Sequence, residues 1–467
     1  MRLRHGLAVL ISVGLIAAPR AAFAHARLVR SAPAAGASVT SAPKMIQLWF
    51  SEAPDARLTI VTITAGDGRV AGLEKFEAVP DTAISVRAVI DGVLASGVYT
   101  VAWRTVAADD GHPSKGSFTF TVSAEVGVSM STPPVKSGTV IGAAVNSAPT
   151  AAATAGLGVE SPVYVIVRWL SFMGLVVVIG VIALRLLVLP RIGSAASEAF
   201  AVALIPRLAT LGLAAAGLVI IAAIGRLFSE QSVMAASVHL GVADIVQHTT
   251  WGSVWLLQVG AAIVACAGLA LARRHSAIGW GIGTVAVLVL AVTPALSGHA
   301  AGVENWRTLA IATDALHVIA AGAWLGSLCA LIVVGVPTAL RVEATGSDAA
   351  GGGRLVSEMV NAFSPIALVF ASVVVLTGLV SAWLRLGSIS ALWSSSYGIV
   401  LIVKLALVGA VFAAGAFNWL RMREQLSKVD NADAHHRFQR SGKVELFFGV
   451  FVIAVTAVLV AMQTPLH

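Results

Sequence analysis

Hydrophobic and polar positions change rhythm twice along this chain. Before residue 124 they alternate. In "VYTVAWRT" (98–105), Tyr99, Val101, Trp103 and Thr105 share one face and Val98, Thr100, Ala102 and Arg104 the other, the period of a half-buried strand. "SFTFTV" (117–122) sets Phe118, Phe120 and Val122 against Ser117, Thr119 and Thr121. "MIQLWF" (45–50), "LTIVTIT" (58–64) and "ISVRAVI" (84–90) are further strands, with turn signals "AGDG" (65–68), "DG" (91–92) and "SG" (96–97) between them. This pattern predicts a small all-β sandwich or barrel over residues 25–123. Residues 124–160, rich in Ala, Ser, Thr, Val and Gly without sustained period, read as a flexible linker. From 161 to 467 the rhythm is long apolar runs: 163–189, 204–226, 251–272, 277–297, 309–336, 364–386, 398–420 and 444–464. Each reaches the roughly 20 residues that cross a bilayer. Backbone amides in hydrocarbon need partners within their own segment, so an all-α bundle of eight transmembrane helices is expected.

Composition agrees. Of 467 residues 57% are hydrophobic and 12% charged, where a soluble protein carries about 25% charged. The net charge of +8 therefore points to membrane topology and not to nucleic acid. Arg191, Arg273, Arg274, Arg341, Arg354, Arg421, Arg423, Arg437 and Arg440 fall in or beside odd-numbered loops, while the opposite loops carry chiefly Arg307 and Arg385. The bias places the odd loops in the cytoplasm, and the N-terminal domain and C-terminus outside. Residues 1–24 have the form of a secretory signal: basic Arg2, Arg4 and His5, an apolar core, and "AFA" before the cut. Cys266 and Cys329 both lie inside apolar runs and form no disulfide framework.

Cleavage after Ala24 makes His25 the first residue. Its amine and ring Nδ1 can then chelate one metal. In "DDGHPSKGS", Asp110 and His112 stand two apart, on one side of an extended stretch. Nitrogen donors with one carboxylate suit Cu(II). "DG" is equally a turn signal, so on residue chemistry alone a metal site and an ordinary loop both remain open.

In the membrane half, ionisable groups mark functional candidates. Asp314 and His317 are three apart in "DALHVIAAGAWLG", on one helix face. His299, in "SGHA", ends the preceding segment nearby. The three are expected to form a pocket near the outer leaflet, as a metal path or as hydrogen bonds holding the fourth and fifth helices together. Gly322 and Gly326 suit a close helix contact. Lys404 lies deep and needs an acidic or carbonyl partner; Arg207, Asn418 and Glu445 sit near cytoplasmic ends.

"HARLVRSAPAAGASVTSAPKMIQLWFSE" and "VYTVAWRTVAADDGHPSKGSFTFTV" resemble the periplasmic copper-binding CopC family. The resemblance implies a cupredoxin-like Greek-key β-barrel that binds Cu(II) through His25, Asp110 and His112, with Glu52 of "FSEAP" near the site. Some members add a Met-rich Cu(I) site; Met45 is the single methionine between 25 and 123, so none is expected here. Residues 161–464 are similar to the CopD membrane family, through the eight-segment plan, "SGHA" and "D-x-x-H…AGAWLGSL". Together these imply a CopC–CopD fusion in the bacterial inner membrane, taking up copper and contributing to copper homeostasis and resistance. Its partners are then copper, the lipid bilayer and a periplasmic copper donor or reductant, with no nucleic acid. Two other classes stand beside transport: sequestration without transport, and a haem- or copper-dependent redox or sensory membrane protein. No enzyme activity is expected, since Asp110 would fill the position a copper monooxygenase leaves open for oxygen.

Overall fold

A computed structural model describes residues 28–51, 53–55, 59–78, 84–106, 113–123, 162–192, 197–235, 242–298, 306–345, 354–425 and 433–462. The chain divides into a β unit and a helical unit.

The β unit holds β1 (Leu28–Ala32), β2 (Ser38–Val39), β3 (Met45–Phe50), β4 (Ile60–Ala65), β5 (Val70–Ala71), β6 (Leu73–Ala78), β7 (Ser85–Ile90), β8 (Gly97–Val106) and β9 (Pro113–Val122). They form two sheets, ordered β1-β3-β7-β6 and β2-β9-β8-β4-β5. Among the described residues no strand is common to both sheets, so the expected barrel is an open sandwich. After Ala32 the chain leaves the first sheet at Pro33, which has no N–H for a ladder, and joins the second as β2, parallel to β9. The alternation sorts side chains as expected. Ile46, Leu48 and Phe50 of β3 are buried with Tyr99, Val101 and Trp103 of β8 and Phe118, Phe120 and Val122 of β9. Phe50 meets Trp103 edge-on at 5.1 Å, and Tyr99 stacks on Phe120 at 5.6 Å. Gly116 pairs with Trp103 across the ladder; a Cβ there would lie 2.7 Å from the indole, so the ring lies over bare backbone.

The helical unit has eight helices long and apolar enough to span a membrane: α1 (Pro162–Arg191), α2 (Ser197–Ala235), α3 (Thr250–Ala272), α4 (Ala277–Leu296), α5 (Arg307–Ala344), α6 (Arg354–Leu386), α7 (Ser396–Gln425) and α8 (Asp433–Ala461). Their outward residues, among them Ile221, Ile224, Leu368, Leu379 and Ile399, are large, apolar and exposed, as a lipid-facing surface requires. Where only a loop was expected before α3, Val242–His248 forms a short helix. Thr249 then caps α3 by accepting from Gly252 N–H at 2.8 Å. A one-turn helix, Ala391–Ser394, precedes α7, and Ser395 caps it in the same way through Gly398 N–H at 3.0 Å.

Helix α5 is the most enclosed span, with 72% of its apolar window buried against 11% for α7. It crosses α1 at the predicted small residues. A Cβ on Gly326 would lie 1.9 Å from the Val176 carbonyl oxygen, and one on Gly180 would lie 1.9 Å from Gly326 C. Ser327 Oγ donates to the Gly180 carbonyl at 3.1 Å. Here α5 widens into a π-helical turn over Gly322–Gly326.

Replacing Gly326 with Leu forces α1 and α5 apart. The expected loss is about 3 kcal/mol or more, read as a lowered melting temperature of the detergent-purified protein. Gly409→Ala is the control, since a Cβ there meets nothing within 4 Å; equal melting of the two variants would remove this contact from the fold.

Candidate functional site

The β unit presents one end to which several chain segments converge. β1 begins at Leu28 opposite Phe50, the last residue of β3. β4 begins at Ile60 beside Arg104 of β8, and the Thr59 and Thr105 hydroxyls are 2.6 Å apart. β8 and β9 pair as far as Val106 and Pro113. The Phe50–Trp103 contact brings these strand ends together. His25 lies three residues before that start of β1, Glu52 two after Phe50, and Asp110 and His112 in the connection 107–112. All four lie outside the described residues, as do the signal segment and linker. The strands that lead into them share one end of the sandwich.

In the membrane unit Asp314 and His317 do share a face, and it is turned to α6. His317 Nδ1 is 2.9 Å from Thr377 Oγ1. Ser381 Oγ donates to Asp314 Oδ1 at 2.8 Å, and Arg385 forms an ion pair with Asp314 Oδ2. Thr377, Ser381 and Arg385 recur every four residues, a polar stripe along one side of α6. Tyr397, at the start of α7, and Lys404 lie within the electrostatic reach of Asp314 and Arg385, and Lys404 within that of His317 as well. The expected hydrogen bonds therefore join α5 to α6; the expectation had placed them between α4 and α5. His299 lies outside the described residues. Among those residues no group of three His, Cys, Asp or Glu side chains could hold a metal.

The polar stripe of α6 is the feature that the sequence reading passed over. Arg385 had been counted as a loop charge, yet its side chain is about a fifth exposed and neutralises Asp314. The signal for it was the four-residue spacing of Thr377, Ser381 and Arg385 in an otherwise apolar run. Lys404 feels the opposing charges of Arg385 and Asp314. Arg207 is exposed and donates to the Ala203 carbonyl at 2.9 Å.

A second polar cluster lies among α1, α2, α3 and α8. Arg168 is buried, donates to the Val460 carbonyl at 3.0 Å and also bonds Tyr164. Arg226, likewise buried, lies 5.8 Å from the Trp251 ring. Its guanidinium feels the charge of Glu230 as well as that of Arg168.

Three known protein families match parts of the chain. The CopC domain covers residues 28–123. The copper resistance protein D-like N-terminal domain covers 159–309, and copper resistance protein D covers 357–459. The chain is 24% identical over 462 residues to the copper transport protein CutJ of Bacillus subtilis, covering 98% of this chain and 77% of that one. It is 27% identical over 223 residues to copper resistance protein D of Pseudomonas syringae pv. tomato, 46% of this chain and 68% of that one. Over 126 residues it is 36% identical to protein YobA of Escherichia coli, covering 26% of this chain and 94% of that one.

Asp314→Asn leaves the Arg385 guanidinium partly buried without its counter-charge. The expected cost is about 3 kcal/mol, and Asp314→Asn/Arg385→Gln restores most of it. His317→Gln is expected to cost about 1 kcal/mol, one hydrogen bond. Thermal unfolding of the purified variants measures all three; a double variant no more stable than Asp314→Asn would mean that the pair does not act as a unit.

Proposed function

From the premise that the chain belongs to the CopC–CopD fusions, we propose that it captures Cu(II) outside the inner membrane and passes copper through its membrane unit toward the cytoplasm. The observation that carries this reading is the joining of a CopC domain and both copper-resistance-D regions in one polypeptide. It is supported by the name of the relative that spans nearly the whole chain, a copper transport protein. In this proposal residues 1–24 are removed, and the His25 amine and ring bind Cu(II) with Asp110 and His112, Glu52 standing nearby. Residues 124–160 act as the tether. A tether of that length reaches about 35 Å if flexible, and holds the donor at an effective millimolar concentration. The basic residues beside the odd-numbered loops support an outside location for the β unit.

Within the membrane unit, His299, Asp314 and His317 form the copper path. Asp314 rests against Arg385, so the proposal is a cation exchange. Copper displaces the guanidinium, and the carboxylate stays neutralised before and after. Ser381 and Thr377 hold the two ligands oriented meanwhile. Lys404 of α7 raises the electrostatic cost for a cation moving past, and the path requires that its charge be offset by Asp314.

Copper uptake into proteoliposomes tests the reading. His317→Ala is expected to lower uptake at least about tenfold with Cu(II) binding by the β unit unchanged. His25→Ala is expected to lose that binding, and to slow uptake only at low copper. Unchanged uptake in His317→Ala would eliminate the membrane path. Sequestration without transport predicts copper bound to the proteoliposomes and none in the lumen.

A second expectation concerns pH. A free α-amine has a pKa of about 7.7–8.0, and copper must displace its proton. Cu(II) affinity of the processed protein is expected to fall as pH drops below neutral. An affinity flat from mildly alkaline to mildly acidic pH would overturn amine ligation.

A further inference from the structure

At the arginine-rich end of the bundle, α2 and α5 enclose a groove of about 290 Å³. Arg207 of α2 and Arg341 of α5 flank it, with Thr210, Val333, Pro337 and Thr338 as its walls and floor. Both arginines are exposed. Arg207 uses one N–H on the Ala203 carbonyl; a guanidinium has five donors, so a fork remains for an external anion. Thr210 commits its hydroxyl proton to the Pro206 carbonyl at 2.8 Å, so it offers an anion no donor. Glu343, two residues beyond Arg341, receives Leu355 N–H at the start of α6 at 2.7 Å. The apolar wall has a direction. From Arg341 towards the middle of α5, the chain passes Pro337 and reaches Val333, which is 53% exposed. Val333 belongs to a π-helical turn, Leu331–Gly335, whose extra residue per turn broadens the helix there.

We propose that this groove binds the phosphodiester of an anionic phospholipid. Two guanidiniums recognise the phosphate oxygens by charge-assisted forked bonds. The acyl chain then runs along Pro337 and Val333 towards the bilayer centre. A free phosphate shares the anionic chemistry but gains nothing from that wall, so the site is a lipid site. Its position beside the arginine-bearing loops places the lipid in the leaflet those loops face. Bound there, the lipid bridges α2 to α5.

The test uses the full-length protein purified in detergent, mixed with phosphatidylglycerol or phosphatidylethanolamine, and native mass spectrometry to count retained lipids. Phosphatidylglycerol is expected to be retained in preference, and the preference to fall as salt is raised. Arg207→Gln/Arg341→Gln is expected to lower its retention about thirtyfold, at roughly 1 kcal/mol for each arginine. Arg207→Lys/Arg341→Lys keeps the charge and is expected to lose less. Equal retention of both lipids by the unaltered protein would overturn the proposal, with no dependence on how the variants fold. So would displacement of phosphatidylglycerol by millimolar inorganic phosphate, or full retention by a folded double variant.

Discussion

Where α1 and α5 cross, two backbones touch with nothing between them. Gly180 and Gly326 leave no room for a side chain on either helix, and the Ser327 hydroxyl closes the contact on the Gly180 carbonyl. In lipid there is no hydrophobic gain from bringing helices together, so close packing and interhelical hydrogen bonds must do it. This crossing supplies both at the most enclosed span. It also requires the π-helical turn at Gly322–Gly326, which returns α5 to regular helix one residue out of step. Trp324 lies in that turn and packs on Phe412 of α7 at 4.9 Å. The α1–α5 contact and the position of α7 are therefore coupled through five residues of irregular helix.

The same crossing relates two halves of the membrane unit. Gly252 and Gly398 are separated in sequence by the same interval as Gly180 and Gly326. Each follows a Ser or Thr cap, and each is pressed against carbonyl groups of a preceding short helix, Ile245 in one case and Ala391 in the other. Spans α1 and α3 thus have α5 and α7 as counterparts. In that register Arg168 corresponds to Asp314, each twelve residues before its glycine, and Gln258 to Lys404, each six after. Each half carries a polar cluster with two basic side chains and one acid, Arg168 and Arg226 with Glu230 in the first and Arg385 and Lys404 with Asp314 in the second. In the first half Arg168 is fixed to the Val460 carbonyl at the end of α8, a favourable place for a cation. In the second, Asp314 is held by Arg385 and by the Ser381 hydroxyl.

What could be read from the sequence follows from what each signal measures. Strict alternation in 45–50 and 98–105 gave strands β3 and β8 and their buried faces. β6, Leu73–Ala78, escaped because its ladder slips between Leu73 and Lys75, which breaks the two-residue period. The apolar runs marked the eight spans but not their ends. α6 begins at Arg354 and α8 at Asp433, some ten residues before the apolar segments, because a helix continues into water where hydropathy is silent. The pairing of Asp314 with Arg385 joins residues 71 apart. No local period encodes such a pair, although the polar stripe on α6 marks the face on which it lies. The convergence of the ends of β1, β3, β8 and β9 is likewise a property of topology, which spacing alone does not contain.

The Asp314–Arg385 pair sets opposing demands on the membrane unit. Desolvating two charges is costly, and a well-packed apolar pair of similar volume is often no less stable. Stability alone therefore gives weak reason to place an acid in α5. The proposed copper path gives a stronger one: a carboxylate kept ionised in low dielectric needs a cation beside it, and on that proposal the tethered guanidinium serves when copper is absent. The pair also explains why Ser381 and Thr377 are needed. If Arg385 withdraws, Ser381 still donates to Asp314, and Thr377 still orients the His317 ring. The site then keeps its shape while its charge partner changes. The proposed path requires that property, whereas Arg168 is fixed to the Val460 carbonyl.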